Sequence, residues 1–174
     1  MSPLLESRST GQVAFESSVA TAQLVVSIFG NLLLLVALYR KPRLSSATNI
    51  FIASLAATDL LNACIPGTLF LYSLLTGEMW ISRIGCQVGG FFFFYFNNLS
   101  SMIMGLTAIN RYFCMLKPNT CKAVFSFRRS LCYLIVLWLS VAILVGFPIV
   151  FDLATFEFKP LVNICTIVDR KSVV

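Results

Sequence analysis

Residues 84–110 read IGCQVGGFFFFYFNNLSSMIMGLTAIN, an apolar run that contains no charged residue. A helix needs about 20 such residues to cross the hydrocarbon core of a bilayer. Three further runs reach this length: residues 17–39, residues 44–77, whose one charge is Asp59, and residues 130–151. The sequence therefore predicts an all-α membrane protein with four transmembrane helices.

The composition also indicates a membrane protein. The 174 residues are 58% hydrophobic and 11% charged, whereas soluble domains carry about 25% charged residues. The net charge of +6 comes from short basic clusters between apolar runs, so we interpret it as a topology signal rather than a nucleic-acid surface. The sequence has no His, no paired carboxylates and no Gly-rich phosphate loop. We therefore expect neither an enzyme nor a zinc site.

The distribution of Lys and Arg predicts the orientation of the chain. Residues 40–43 and 111–129 hold eight cations and no acidic residue, whereas the other connections mix both signs. Cytoplasmic loops are the ones enriched in Lys and Arg, so both ends of the chain are expected outside. We expect an extracellular tail at 1–16, a transmembrane domain at 17–151 with spans at about 17–39, 45–74, 84–112 and 130–151, and an extracellular segment at 152–174.

Three polar residues on three different spans lie near the middle of the membrane. Counted from the cytoplasmic boundary, Asn31 lies roughly 14 Å deep, Asp59 roughly 21 Å and Ser100 roughly 16 Å. An ionised carboxylate at that depth costs about 3 kcal/mol or more unless it has partners. We expect Asp59 to face the bundle, with Asn31 and Ser100 as partners. One alternative is that Asp59 is protonated and only hydrogen-bonds a neighbouring helix, which helps the helices to pack. Another is that Asn31 has no function beyond a hydrogen bond between helices.

Cys86 and Arg111 mark the two ends of the third span. They are 25 residues apart, roughly 37 Å of helix. Cys86 is therefore expected on the oxidising side of the membrane, and Cys165 is the one other cysteine expected there. A disulfide between Cys86 and Cys165 is predicted, in preference to two unpaired thiols. Closing this loop of about 79 residues would stabilise the fold by roughly 4–5 kcal/mol. Cys114 and Cys121 are expected on the reducing side, as thiols or palmitoylated.

A set of ordered motifs resembles rhodopsin-like G-protein-coupled receptors. The matching residues are Gly30-Asn31, Leu55-Ala56-Ala57-Thr58-Asp59-Leu60, Cys86, Asn110-Arg111-Tyr112, Pro118, Trp138 and Cys165. The resemblance implies that the chain holds the first four of seven helices, in the plasma membrane. It implies further that Asn31, Asp59 and Ser100 belong to an internal polar cluster that takes Na⁺, with no other cofactor or metal. Arg111 would engage a heterotrimeric G protein.

The residue before Arg111 departs from the family pattern. Most members have Asp there, which pairs with the Arg at rest, whereas this chain has Asn110. We hypothesise that Arg111 is restrained more weakly, by hydrogen bonding alone. Asn-Arg-Tyr resembles melatonin receptors, as do several other segments: Asn49-Ile50-Phe51, Ser54-Leu55-Ala56, Pro66, Gly85-Cys86-Gln87-Val88, Thr107 to Tyr112, and Cys165-Thr166.

The outer half of the third span suggests the kind of ligand. Amine receptors have an Asp seven residues after the first Cys, and Phe93 stands there instead. A neutral aromatic ligand is therefore favoured over a monoamine, with Phe93 and Asn97 as contacts. Many of the neighbouring Phe side chains must face lipid, because consecutive residues cover the whole circumference of a helix. Pro66 and Pro148 are expected to kink their helices near the outer side.

Two other classes of protein remain open from the sequence. A small transporter or channel subunit would use Asp59 as its ion-coordinating group, but the two halves of the chain lack the repeat that such proteins show. A truncated receptor would act as an interaction or dominant-negative partner of a full-length one. The expected partners of the leading interpretation are a small-molecule or peptide ligand, a heterotrimeric G protein and membrane lipid, and no nucleic acid. Such a partial chain is not expected to signal alone.

Overall fold

A computed structural model describes residues 9–40, 46–76, 83–159 and 164–169. In these residues the chain forms helices followed by a two-stranded sheet. The elements are α1 (Thr10–Arg40), α2 (Ser46–Asn62), a π-helical turn (Ala63–Gly67), α3 (Thr68–Thr76), α4 (Arg83–Leu116), α5 (Pro118–Val124), α6 (Phe127–Val150), β1 (Ala154–Lys159) and β2 (Ile164–Asp169).

Four helical stretches of the described chain are long and apolar enough to cross a membrane. They are Thr10–Arg40, Ala47–Thr76, Ile84–Leu116 and Phe127–Val150. Most of the large apolar side chains on α1 and α6 are exposed, as expected for helices that face lipid. The predicted four-helix architecture is confirmed.

The first helix begins earlier than the predicted span. Ser9 Oγ accepts a 3.2 Å hydrogen bond from the Gln12 amide, and Gln12 Oε1 accepts a 3.1 Å bond from the Ser9 amide. This reciprocal arrangement is a capping box, which satisfies two amides that the first helical turn would leave unpaired. Helix α1 therefore begins at Thr10, although the apolar run begins at residue 17.

The second span is interrupted where the sequence places a proline. Pro66 is buried within the π-helical turn between α2 and α3. A proline cannot donate the backbone hydrogen bond of a regular helix, and a π-helical turn is one way to accommodate this loss. Pro148 lies in the last turn of α6, where Leu153 N donates to its carbonyl as the helix ends.

The core lies between α2, α4 and α6. Fully buried Phe51 on α2 packs in one cluster with Leu99 and Ile103 on α4. Leu134, Val141 and Val145 complete the cluster from α6. Because α4 contributes at several depths along its length, it is the central helix of the described bundle.

The last described segment, which the sequence predicts to be an extracellular segment, forms an antiparallel hairpin. β1 and β2 pair with Ala154 opposite Asp169 and Phe158 opposite Cys165. Asp152 begins the hairpin at φ 55°, a left-handed conformation that Asp tolerates better than most residues. Phe156 at the centre of β1 is buried, and its burial fixes which face of the hairpin lies against the bundle.

Candidate functional site

The hairpin is tied to the start of α4 by a disulfide. Cys86 in the first turn of α4 is bonded to Cys165 on β2, with their Cα atoms 5.6 Å apart. Gln87 Nε2 donates a 3.4 Å hydrogen bond to Thr155 Oγ1 on β1. The covalent bond and the polar contact hold the hairpin over one end of the bundle.

A glycine allows the hairpin to approach α4 closely. A Cβ atom on Gly90 would lie 2.6 Å from Phe156 Cδ1 and 3.2 Å from the Cys165 carbonyl oxygen. No side chain fits at that distance, so only glycine permits the contact. The ring of Phe94 also packs on Phe156, with centroids 5.8 Å apart.

A cavity of about 440 Å³ opens beside the N-terminal half of α4. Both predicted ligand contacts, Phe93 and Asn97, line it, and so do Pro66 and Gly67 of the π-helical turn. The remaining lining residues are Ala20, Gln23, Leu24, Ser27, Asn62, Ala63, Phe70 and Ile164. None of these described lining residues carries a charge. Asn97 Nδ2 donates a 2.7 Å bond to the Phe93 carbonyl, which leaves Asn97 Oδ1 as an acceptor beside the cavity.

Two of the three mid-membrane polar residues meet. Ser100 Oγ donates a 2.6 Å hydrogen bond to Asp59 Oδ1, joining α4 to α2. Asn31 Nδ2 instead donates a 2.8 Å bond to the Ser27 carbonyl one turn earlier on α1. The oxygens of Asp59 and Ser100 fit a hard cation, which prefers carboxylate and other oxygen ligands. Asn31 contributes no hydrogen bond to this pair.

At the other end of α4, Asn110 is fully buried and bonded across the bundle. Its Oδ1 accepts a 2.7 Å hydrogen bond from Thr48 Oγ1 on α2. Its Nδ2 lies 3.7 Å from Cys114 Sγ, one turn further along α4. The Asn110 side chain therefore points toward α2 rather than toward Arg111.

Arg111 and Tyr112 face away from the bundle. Both side chains are exposed, and within the described residues Arg111 has neither a hydrogen bond nor an ion pair. The Tyr112 ring packs edge-on against that of Phe113, with centroids 5.5 Å apart. The guanidinium of Arg111, a permanent cation with five donors, is thus accessible at this end of α4.

The structure joins two cysteines that were expected as thiols or palmitoylated. Cys114 in the last turn of α4 is bonded to Cys121 in α5, and their Cα atoms are 4.9 Å apart. Two other cysteines, Cys64 and Cys132, are free and exposed. Pro118 begins α5 between the bonded pair, at the first helical position where proline is favoured.

Trp138 contacts α4 through its backbone and its ring. Its carbonyl accepts a 3.4 Å hydrogen bond from the Tyr95 hydroxyl, and the two rings meet edge to face with centroids 6.3 Å apart.

Sequence reasoning identified Trp138 but missed Tyr95, Thr48 and the contact between Gly90 and Phe156. The pair Gly89-Gly90 was the one available signal, because consecutive glycines in a helix suggest a close approach.

Comparison with known proteins agrees with the motifs. The family model described as "7 transmembrane receptor (rhodopsin family)" matches residues 30–173. Melatonin receptor type 1A of Ovis aries is 32% identical over 152 residues, which are 86% of this chain and 40% of that receptor. Melatonin receptor type 1B-B of Danio rerio is 28% identical over 162 residues, 92% of this chain and 46% of that receptor.

An amine receptor is also similar. Octopamine receptor beta-1R of Drosophila melanogaster is 29% identical over 126 residues, 72% of this chain and 25% of that receptor. The chain thus spans less than half the length of each of these three relatives. The predicted resemblance to melatonin receptors within a wider receptor family is confirmed.

Proposed function

The chain belongs to the rhodopsin family of seven-transmembrane receptors, and on this premise we propose that it serves to carry the signal of a neutral aromatic ligand across the plasma membrane to heterotrimeric G proteins. The observation that carries the proposal is the uncharged cavity beside Phe93 and Asn97. A ligand pocket of this kind combines apolar walls with a few placed polar groups.

The lining of the cavity supports a melatonin-like ligand. Phe70 and Phe93 offer aromatic faces, and Gln23, Asn62 and Asn97 offer amides. Melatonin is a neutral indole with an amide, so it suits this combination of stacking surfaces and hydrogen-bonding groups. A protonated amine would find no carboxylate among the described lining residues, and burying its charge unpaired is costly.

The inner end of α4 supports coupling to a G protein. Exposed Arg111 lies on the same side as Lys117, Lys122, Arg128 and Arg129, all exposed. This excess of cations favours the cytoplasm for that side, so the N-terminus and the hairpin would be extracellular. Arg111 would then be the residue that contacts the G protein.

A sodium ion is the cation that we propose for the pair Asp59 and Ser100. The Asp59 carboxylate and the Ser100 hydroxyl would hold it, because their oxygens lie 2.6 Å apart on facing helices. When bound, the ion would supply a positive charge that offsets the carboxylate within the membrane. In its absence the hydroxyl of Ser100 holds the carboxylate in place.

Ligand binding tests the proposal directly. A receptor of full family length that carries residues 1–174 is expressed in cell membranes, and the binding of tritiated melatonin and tritiated octopamine is measured. We expect specific binding of melatonin that falls about 10-fold or more in Phe93→Ala, since a buried aromatic contact is lost. Asn97→Ala should weaken binding by roughly 2–10-fold, the range of one hydrogen bond.

Asn98→Ala is the matched control. Asn98 is the neighbouring residue, and its Nδ2 donates to the Phe94 carbonyl in the same way, but it does not line the cavity. Its affinity should equal that of the unmodified receptor. Specific binding of octopamine without binding of melatonin would refute the proposed ligand class, and equal losses in Asn97→Ala and Asn98→Ala would refute the proposed pocket.

A further inference from the structure

Helix α4 carries a disulfide-bonded cysteine near each of its ends. Cys86 in its first turn is bonded to Cys165, and Cys114 in its last turn is bonded to Cys121. The two α4 cysteines are 28 residues apart, about 42 Å of helix, which exceeds the ~30 Å thickness of the hydrocarbon core. The two disulfides therefore lie on opposite sides of the bilayer. Whichever way the chain is inserted, one of them faces the reducing compartment.

We propose that Cys114 and Cys121 form a reversible thiol–disulfide exchange site whose co-reactant is a low-molecular-weight disulfide such as oxidised glutathione. The assignment to the cytosolic side rests on the orientation given in the proposed function, whereas the exchange reaction does not. Disulfides on the cytosolic side are redox-active rather than permanent in most proteins. The pair is thus a modification site at the end of the receptor that faces the G protein.

The exchange proceeds in two balanced steps. A thiolate of one cysteine attacks a sulfur of oxidised glutathione, so that a mixed disulfide forms and one glutathione thiolate leaves. The thiolate of the second cysteine then attacks the protein sulfur of the mixed disulfide and releases the second glutathione. The two protein thiols are oxidised, one glutathione disulfide is reduced to two thiols, and the two protons pass to the departing glutathiones.

The local fold prepares the two cysteines for this reaction. Lys117 N donates to the Phe113 carbonyl, and Cys121 N donates to the Lys117 carbonyl. These backbone hydrogen bonds hold the turn between α4 and α5 without the disulfide. The two cysteines therefore stay close to each other when they are reduced. Lys117 lies between the two cysteines in the sequence and Lys122 directly follows Cys121, and both are exposed; nearby cations favour the thiolate that carries out the attack.

The site is linked to the residue beside Arg111. Cys114 Sγ lies 3.7 Å from Asn110 Nδ2, and Asn110 Oδ1 accepts the bond from Thr48 on α2. A change between thiol and disulfide alters the acceptor that faces the Asn110 amide. Oxidation also adds a covalent tie between α5 and the end of α4. The redox state of the two cysteines therefore changes the contacts of Asn110, the residue next to Arg111 in the sequence.

Thiol trapping in glutathione buffers tests the proposal. The full 174-residue chain with Cys64→Ser and Cys132→Ser, which removes both free and exposed cysteines, is purified in detergent and equilibrated over a wide range of reduced-to-oxidised glutathione ratios. After an acid quench, free thiols are alkylated with a polyethylene-glycol maleimide and counted by gel shift. We expect no adduct in oxidised buffer and a shift to two adducts in reduced buffer. The Cys86–Cys165 bond should stay unreacted, because Cys86 is buried.

Single substitutions identify the responding pair. In Cys114→Ser or Cys121→Ser the remaining thiol should form only the mixed disulfide with glutathione in oxidised buffer, so the two-adduct shift falls to a one-adduct shift. The intact mass in oxidised buffer should show bound glutathione in these variants and none on the pair in the parent chain. Persistence of the Cys86–Cys165 bond in both variants reports that the fold is intact. A pair that stays bonded at the highest proportion of reduced glutathione would overturn the proposal. So would a pair that stays alkylated at the highest proportion of oxidised glutathione.

The side of the membrane is decided separately. Cells that express the chain are kept in a reducing medium and are labelled with a membrane-impermeant maleimide, before and after permeabilisation. Labelling of Cys114 and Cys121 only after permeabilisation is expected. Labelling of intact cells would overturn the cytosolic assignment and with it the orientation in the proposed function. The detergent experiment would still decide the exchange reaction, so the two failures are distinguishable.

Discussion

The Ser100 hydroxyl on α4 donates a 2.6 Å hydrogen bond to Oδ1 of Asp59 on α2. Ser100 is buried, and Asp59 is half-buried. A carboxylate within a membrane needs such a partner, because lipid offers none. The bond therefore gives the one charge within the predicted spans a fixed position against the central helix.

Replacement of Ser100 by Ala should destabilise the protein by about 1–3 kcal/mol, because it leaves the carboxylate without this donor. The free energy of unfolding is measured in mixed micelles with increasing SDS. Ser101→Ala is the control, since Ser101 is exposed and its hydroxyl bonds the Asn97 carbonyl of its own helix. Equal destabilisation by the two substitutions would contradict a special contribution from the bond between Ser100 and Asp59.

Sodium should stabilise the protein if Asp59 and Ser100 hold the ion. We expect the melting temperature in detergent to rise when KCl is replaced by NaCl at equal ionic strength, because binding to the folded state alone adds stability. Asp59→Asn removes the negative charge and should abolish the difference between the two salts. A difference between the salts that survives in Asp59→Asn would place the sodium effect elsewhere.

Gly90→Ala should displace the hairpin from α4. The new methyl group would lie 2.6 Å from Phe156 Cδ1, and overpacking of this kind costs about 1–3 kcal/mol. The effect is measured as faster reduction of the Cys86–Cys165 bond by dithiothreitol. Gly89→Ala is the matched control, because among the described residues its methyl group would meet only the end of the flexible Leu69 side chain, at 3.1 Å. Identical reduction rates in both variants would argue against the close contact.

Loss of the Cys86–Cys165 disulfide should lower the free energy of unfolding more than any of these changes. Cys86→Ser opens a loop of 79 residues, for which chain entropy predicts a loss of about 4 kcal/mol in the free energy of unfolding. Cys132→Ser is the control, because Cys132 is free and exposed and should be neutral. The same SDS titration measures both, and a loss below about 1 kcal/mol in Cys86→Ser would contradict the expectation.

Asn110→Asp should lower basal signalling in a receptor of full family length that carries these residues. A carboxylate beside Arg111 can pair with the guanidinium, whereas the Asn110 amide bonds Thr48. Basal G-protein activation is measured without ligand at matched surface expression. Thr48→Val is the control, since it breaks the same interhelical bond and adds no charge. Equal basal activity in Asn110→Asp and the unmodified receptor would refute the hypothesis of weak restraint.

The sequence was sufficient to predict the spans, because their signal is local. Twenty apolar residues in a row specify a membrane helix without reference to any partner. The 25-residue interval between Cys86 and Arg111 likewise predicted a helix long enough to cross the bilayer from helical rise alone, and α4 extends beyond both residues, from Arg83 to Leu116. The Ser9 capping box could also be predicted from the sequence, since Ser9 and Gln12 stand three residues apart, but the apolar run alone predicts a start at residue 17.

Contacts between helices were harder to predict, because they depend on how each helix is rotated. Depth counting placed Asn31, Asp59 and Ser100 near the same level, yet of these three side chains only Asp59 and Ser100 are hydrogen-bonded to each other. Asn31 bonds the Ser27 carbonyl on its own helix, an option that depth alone does not reveal. The bond between Thr48 and Asn110 crosses 62 positions of sequence, and nothing local to Thr48 indicates it.

The bonds of Thr48 to Asn110 and of Asp59 to Ser100 join the same two antiparallel helices at two levels. The points of attachment are 11 residues apart on α2 and 10 apart on α4, about 16 Å and 15 Å of helix. Because the two intervals match, neither helix can slide along the other without breaking both bonds. We therefore expect α2 and α4 to behave as a fixed frame during activation, with the movement carried by helices that pack around it.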